Sequence, residues 1–258
     1  MSLQSVEVIG FLDSLFADYP CETDYSRNGL QVQGRGEIDC VAFAVDASQA
    51  TLRMAAQAGA GLFVCHHGLF WNTGFARLLG ADAERIRILM KADMGLYGMH
   101  LPLDAHCEIG NNARLAEILQ LVPASVKMFA RVKGLEIGCV GDLQPGVTAG
   151  ELSALLDAKL DTKTRLYGRE PSQEVKRVAI VSGGGDSEVV EAAMQGADVL
   201  VTGELSHSWW LLAQELGLGV LVAGHYATET VGVRALMQKV QAHFPELTAI
   251  WLDAPTGL

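Results

Sequence analysis

The sequence predicts an α/β protein of two similar lobes related by internal duplication, each a sheet with flanking helices. Three observations predict it. The stretch from Val41, VAFAVDASQATLRMAAQAGAGLFVCHHG, aligns without a gap on the stretch from Val178, VAIVSGGGDSEVVEAAMQGADVLVTGEL, at a constant offset of 137. Next, GLYGMHLPLD parallels GVLVAGHYATE. Here His100 and Asp104 (H-x-x-x-D) answer His225 and Glu229 (H-x-x-x-E) at an offset of 125. Finally, each half opens with a helix followed by a short strand, and segments that recur in order at fixed spacing mark a repeated unit.

The elements follow in order. Residues from about 3 to 18 read as a helix, and GLQVQG as the short strand after it. VAFAVD is a near-continuous apolar strand, as expected in a sheet covered on both faces. A capped, alanine-rich helix closed by Gly59 leads into the strand LFVC, which runs into His66 and His67. GLYGM is the next strand, and Pro102 favours a loop over a regular helix after it. A helix begins near NNARLAEIL, and the halves divide around LVPASVKMF, giving a first lobe over 1–125 and a second over 126–258. In the second, Thr148 and Glu151 stand in capping-box spacing at the start of TAGELSALLDAKL, and the strand TRLYG follows. VAIV, an alanine-containing helix, VLVT and GVLVAG then repeat the βαβ pattern, and TVGVRALMQKV reads as a further helix.

Half of the 258 residues are hydrophobic and 19% are charged, the mark of an ordered globular chain with a large core. No apolar run approaches the roughly 18 residues of a membrane span. The N-terminus shows neither the basic start nor the cleavage site of a secretory signal. The five cysteines, Cys21, Cys40, Cys65, Cys107 and Cys139, are scattered and never spaced C-x-x-C. They predict reduced thiols in a cytoplasmic protein, with neither a disulfide frame nor a zinc ribbon. A formal charge of -11 argues against a broad nucleic-acid surface and leaves room for one phosphorylated small molecule in a locally basic pocket.

In α/β sheets, ligands sit beyond the carboxyl ends of the strands, where His66 and His67 fall. Neighbouring strand residues point to opposite faces, so the pair converges on one site only if the backbone turns, which Gly68 permits, or if each binds a different atom of that site. With His100, Asp104, His225 and Glu229 the inventory is four histidines and two carboxylates. Imidazole plus carboxylate suits Zn, Mn, Fe, Co or Ni, and six candidates from duplicated halves fit two ions better than one.

These residues carry a resemblance. VCHHGLFW, YGMHLPLDAH followed by GNN, VSGGGDS, VTGELSH and AGHYATE are similar to the NIF-three-like family, from about Asn28 to the C-terminus. Some members of that family bear the name GTP cyclohydrolase one, type two. The resemblance implies two α/β lobes related by duplication, a dinuclear centre of divalent ions between them, and a toroidal homohexamer. By motif position it implies His66, His67, Asp104, His225 and Glu229 as metal ligands, with His100 close to the metals.

Other readings stand beside these. His66 and His67 can be hydrogen-bonded core histidines, Asp104 a helix cap, and Glu229 a favourable charge in the first turn of a helix. The run SGGGDS (Ser182–Ser187) reads either as an anion-binding turn or as a tight structural one, since it lacks the Walker A and G-x-G-x-x-G patterns. Glu204 and His207 are acid–base or supporting residues, or surface polar residues of a loop. His106 and Cys107 have no motif role.

Two functions from different classes fit. One is a dinuclear metal-dependent hydrolase, in which paired ions activate water and His100, Glu204 or His207 moves protons. If the family name applies, the substrate is GTP, opened at guanine C8 with loss of formate. The alternative is a non-catalytic, metal-loaded ring acting as an interaction or regulatory protein.

Overall fold

A computed structural model describes residues 2–72 and 77–258. It comprises two compact units, Met1–Leu103 with Val233–Ala254, and Asp104–Gly232 with Pro255–Leu258. A linear division near residue 125 does not anticipate this arrangement: the segment after residue 232 returns to the first unit because its strand pairs there.

In chain order, the first unit begins with β1 (Leu3–Gln4), α1 (Ser5–Leu15), β2 (Gly29–Val32), β3 (Glu37–Ile38) and β4 (Cys40–Asp46). The first helix is shorter than expected because Leu3 and Gln4 pair with β3 instead of joining it. Helix α2 (Gln49–Gln57) starts at Ser48, whose side chain accepts from the Thr51 amide while Thr51 caps in return, and it stops before Gly59, at φ 75°. Then come β5 (Leu62–His67), α3 (Gly80–Ala92), β6 (Gly95–Gly98) and α4 (Leu101–Ala105). The expected loop at Pro102 is thus a five-residue helix. Proline is tolerated there because the first turn has no internal acceptor for its missing N–H.

The second unit holds α5 (Asn111–Ile118), β7 (Lys127–Val132), β8 (Leu135–Asp142), α6 (Ala149–Leu160), β9 (Arg165–Tyr167) and β10 (Arg177–Val181). The capping box of Thr148 and Glu151 opens α6 as the spacing predicts. A 3₁₀ turn at Gly185–Glu188 precedes α7 (Val189–Met194), then β11 (Val199–Thr202), α8 (His207–Glu215), β12 (Gly219–Val222) and α9 (His225–His243), whose residues from Val233 on belong to the first unit. Last is β13 (Thr248–Trp251), which belongs to the first unit.

The duplication is visible in the strand orders. The first unit's sheet runs β13-β4-β5-β6-β2 and the second's runs β7-β8-β10-β11-β12-β9. In both, the successive strands of the βαβ repeat lie parallel, and the short strand that precedes them in sequence closes one edge antiparallel. The other edge differs. The first sheet adds parallel β13, and the second adds the antiparallel hairpin β8-β7.

Each unit has its own core. Ala42, Ala44, Phe63 and Leu96 from the first sheet pack with Leu52, Ala55 and Leu89 from its helices. Val178, Ile180, Val199, Val201 and Leu221 pack with Leu115, Leu152 and Leu156 in the second. At about 1.5–3 kcal/mol per fully buried large apolar side chain, either core supports its sheet without help from a metal. Among the described residues, no helix is long and apolar enough to cross a membrane.

Candidate metal centre

The first unit gathers three histidines at the carboxyl ends of its parallel strands. His66 and His67 finish β5, and His100 follows β6. Their ring centres lie 4.6 Å (His66–His67), 5.0 Å (His66–His100) and 5.6 Å (His67–His100) apart. The rings of the adjacent pair thus come together although they sit on successive residues of a strand. Different neighbours hold them. His66, fully buried, donates from Nδ1 to the Met99 carbonyl at 2.9 Å. His67 donates from Nδ1 to Asp46 Oδ1 at 2.8 Å, and Asp46 is its register partner on β4.

His100 donates from Nδ1 to Asp24 Oδ1 at 2.9 Å. Asp24 also accepts from the Asn28 side chain (2.8 Å) and from the Leu101 (3.0 Å) and Ser26 (3.2 Å) amides. Burial raises the pKa of Asp24, but its bonds to His100, Asn28 and Ser26 outweigh that and hold it below its ordinary value. The turn at Gly68 has a separate reason. A Cβ there would stand 2.4 Å from the Gln31 amide, whose oxygen accepts from the Leu69 and Phe70 amides.

The second unit presents a different set at equivalent strand ends. His225, opening α9, donates from Nδ1 to Glu204 Oε1 at 2.5 Å, and its Nε2 lies 3.2 Å from Glu229 Oε1. The Glu229 hydrogen bond, opposed by burial and reinforced by Glu204, raises the pKa of His225 to about 9. Asp104 is buried and accepts from Asn111 Nδ2 (2.8 Å) and Ser182 Oγ (3.2 Å).

The glycine run binds this unit together. The Gly183 amide donates to Thr228 Oγ1, and the Gly185 amide to Thr202 Oγ1. A Cβ on Gly183, at φ 62°, would stand 2.2 Å from Glu229 Oε1. With those two amides already engaged, SGGGDS is a tight turn packed beneath Glu229 and His225, which favours the structural reading over the anion-binding one.

The geometry therefore brings His66, His67 and His100 together in one unit, and Glu204, His225 and Glu229 together in the other. Asp104 is linked to the latter through Ser182 and Gly183. It does not bring in His207, which is exposed at the start of α8 and makes none of the described bonds to His225 or Glu229. His106 closes its own loop, accepting at Nδ1 from the Glu108 and Ile109 amides. The five cysteines form no disulfide.

A divalent ion fits these donors. All four histidines give Nδ1 to an oxygen acceptor, which in the neutral ring leaves the lone pair on Nε2. His66, His67 and His100 form a group whose ligand atoms all lie within 4.8 Å of one another. Sequence reasoning missed Asp24, Asn28 and Asp46 behind the histidines, Asn111 beside Asp104, and Thr228 holding the Gly183 amide. Asp46 had a signal, since it ends the strand that a βαβ unit pairs beside His67.

The family model for Duf34/NIF3 (NGG1p interacting factor 3) matches residues 4–255. The chain belongs to the Duf34/NIF3 family. Among its relatives is a Pyrococcus abyssi protein named GTP cyclohydrolase 1 type 2 homolog. It is 40% identical, over 99% of this chain and 100% of the relative. An Escherichia coli K12 protein of the same name is 37% identical over 90% and 91% of the two chains. Among solved Duf34/NIF3-like structures, the protein ybgI, described as of unknown function, superposes with a TM-score of 0.89 at 34% identity, covering 99% and 100% of the chains. TTHA1606 from Thermus thermophilus gives 0.87 at 35%, with the same coverage.

Proposed function

We propose that this Duf34/NIF3 chain is a dinuclear metal-dependent hydrolase of the cytoplasm, working as a ring of six subunits and acting on a nucleotide. The observation that carries the reading is the donor chemistry of both units, imidazole and carboxylate with each histidine oriented through Nδ1. His66, His67, Asp104, His225 and Glu229 are the ligands of two divalent ions. When bound, such ions acidify water and polarise the substrate's electrophilic atom.

The name borne by the Pyrococcus and Escherichia relatives supports GTP as the first substrate to try, with water adding at guanine C8 and formate leaving. Glu204 steadies His225 through Nδ1 and, being half exposed, is placed to exchange protons with solvent. The family's own description, an interacting factor, supports the alternative of a non-catalytic binding protein.

The test is anaerobic loading with Mn, Fe, Co, Ni or Zn, followed by GTP and then nucleotide phosphoesters, with formate and phosphate as readouts. The loaded protein is expected to turn over one of them and the Glu229→Ala protein none. Equal rates from both would overturn the assignment, and silence from a coordinatively saturated protein would favour the interaction reading.

A further inference from the structure

Two consecutive asparagines open α5, and both are fully buried. A side-chain amide is costly to bury unless its donor and its acceptor are both paired. Here each is paired at both ends. Asn112 donates from Nδ2 to the Ile137 carbonyl at 2.6 Å, and its Oδ1 accepts from the Ser182 amide at 2.8 Å. Asn111 donates from Nδ2 to Asp104 Oδ1 at 2.8 Å, and its Oδ1 accepts from the Gly232 amide at 2.9 Å. That last bond spans 121 residues of chain and ends within α9.

The Asn111 amide therefore touches two elements that carry proposed ligands. One is Asp104 itself. The other is the helix that presents His225 and Glu229, met at Gly232, three residues beyond Glu229 and so a neighbour of it on the helix surface. The approach needs glycine: a Cβ on Gly232 would stand 2.5 Å from Asn111 Oδ1 and 2.9 Å from its Cγ. Chemistry restricts the residue between as strictly. It must donate to a carboxylate oxygen and accept from a backbone N–H at once. An amide does both, whereas aspartate could not donate to Asp104 and leucine could do neither. Ser182 Oγ gives Asp104 Oδ1 a second donor at 3.2 Å, and Asn112 in turn fixes the Ser182 backbone. The two asparagines thus secure one oxygen of Asp104 from two directions, all within the second unit.

We propose that Asn111 is the positioning residue of the second unit's carboxylates: its single amide fixes Asp104 against the helix that carries His225 and Glu229, so that a divalent ion meets them already in place. The inference rests on Asp104, His225 and Glu229 being ligands, as in the function proposed above, and adds what holds them before the ion arrives. Such preorganisation shows as affinity, because a ligand left mobile must be ordered at the moment of binding.

Zinc release to a chelator of known affinity and the visible spectrum of the cobalt(II)-loaded protein test this, each read beside thermal unfolding. Asn111→Ala is expected to hold zinc about 10- to 100-fold more weakly than the wild-type chain, the range for lost supporting contacts, and to shift the cobalt(II) bands. Asn111→Asp keeps the size and the acceptor for Gly232 but loses the donor to Asp104. It serves if the alanine variant does not fold, and its cobalt(II) bands should shift too. Gly232→Ala should weaken zinc binding as Asn111→Ala does, since it displaces the same amide. The double variant should be no worse than Asn111→Ala alone, because the shorter side chain leaves room for the new Cβ. Unchanged zinc affinity and cobalt(II) bands in folded Asn111 variants, even with a lower melting temperature, would leave Asn111 a purely structural role and overturn the inference. Additive losses in the double variant would overturn it as well. A wild-type chain that retains no zinc would remove the ligand reading and the inference together, whereas two retained ions and an indifferent Asn111→Ala protein would remove the inference alone.

Discussion

The two units carry the same βαβ scaffold to different chemical ends. At the strand ends of the first stand three histidines, two of them with a carboxylate one bond behind and one with a backbone carbonyl; at those of the second, a single histidine stands between two carboxylates. Duplication preserved the place of the site, where parallel strands end, and left its contents to diverge. The contrast has a physical consequence. His225, whose pKa Glu229 and Glu204 raise to about 9, must give up a proton before it can bind a metal.

The largest expected effect breaks the comparison on the carboxylate side. Glu229→Ala or Asp104→Ala should abolish turnover, while Glu204→Gln should lower it by roughly 100-fold, as lost acid–base help does. Formate release under metal-saturating conditions measures this; an active Glu229→Ala protein would refute it.

Next is the glycine turn. Gly183→Ala drives a Cβ to 2.2 Å from Glu229 Oε1 at a positive φ, and Gly203→Ala drives one to 2.6 Å from the His225 Cα. Each should destabilise the protein by about 1–3 kcal/mol, as overpacking does, and weaken metal binding in the second unit only. Thermal unfolding and zinc content check both, and unchanged zinc content in Gly183→Ala would contradict the packing argument.

A third prediction sharpens the contrast through pH. The pKa of His225 is raised above its ordinary 6.5 to about 9, so in the metal-free chain the ring is protonated at neutral pH. Uptake by the second unit should therefore weaken by up to about tenfold per pH unit as pH falls from about 9 toward 6. The second unit's uptake should show the steeper pH dependence of the two units. Isothermal titration of the His66→Ala, His67→Ala and His225→Ala, Glu229→Ala proteins separates the two; identical pH slopes would erase the difference between the units.

The smallest effect is expected at Cys65. Its thiol is fully buried, donates to the Tyr97 carbonyl at 3.7 Å, and is pushed far up in pKa by burial. Cys65→Ser should leave metal content nearly unchanged despite its place beside His66, and a clear loss would add sulfur to the donor set.

Much of this was legible in the sequence because repeats and apolar runs are local. The βαβ units, the capping box at Thr148 and the strand-end position of His66 and His67 follow from residues close in the chain. Illegible were contacts made by distant segments. Nothing local announces that Thr248–Trp251 pairs with β4, or that Asp24 reaches His100 across 76 residues. Proline at residue 102 misled because its cost depends on the turn it occupies, and α4 admits it in the first.

Metal stoichiometry tests the central claim most directly. After anaerobic loading and removal of loosely bound ions, the wild-type chain should hold close to two divalent ions, and the His67→Ala, His225→Ala protein far fewer while still folded. Full occupancy in that double variant would contradict the account.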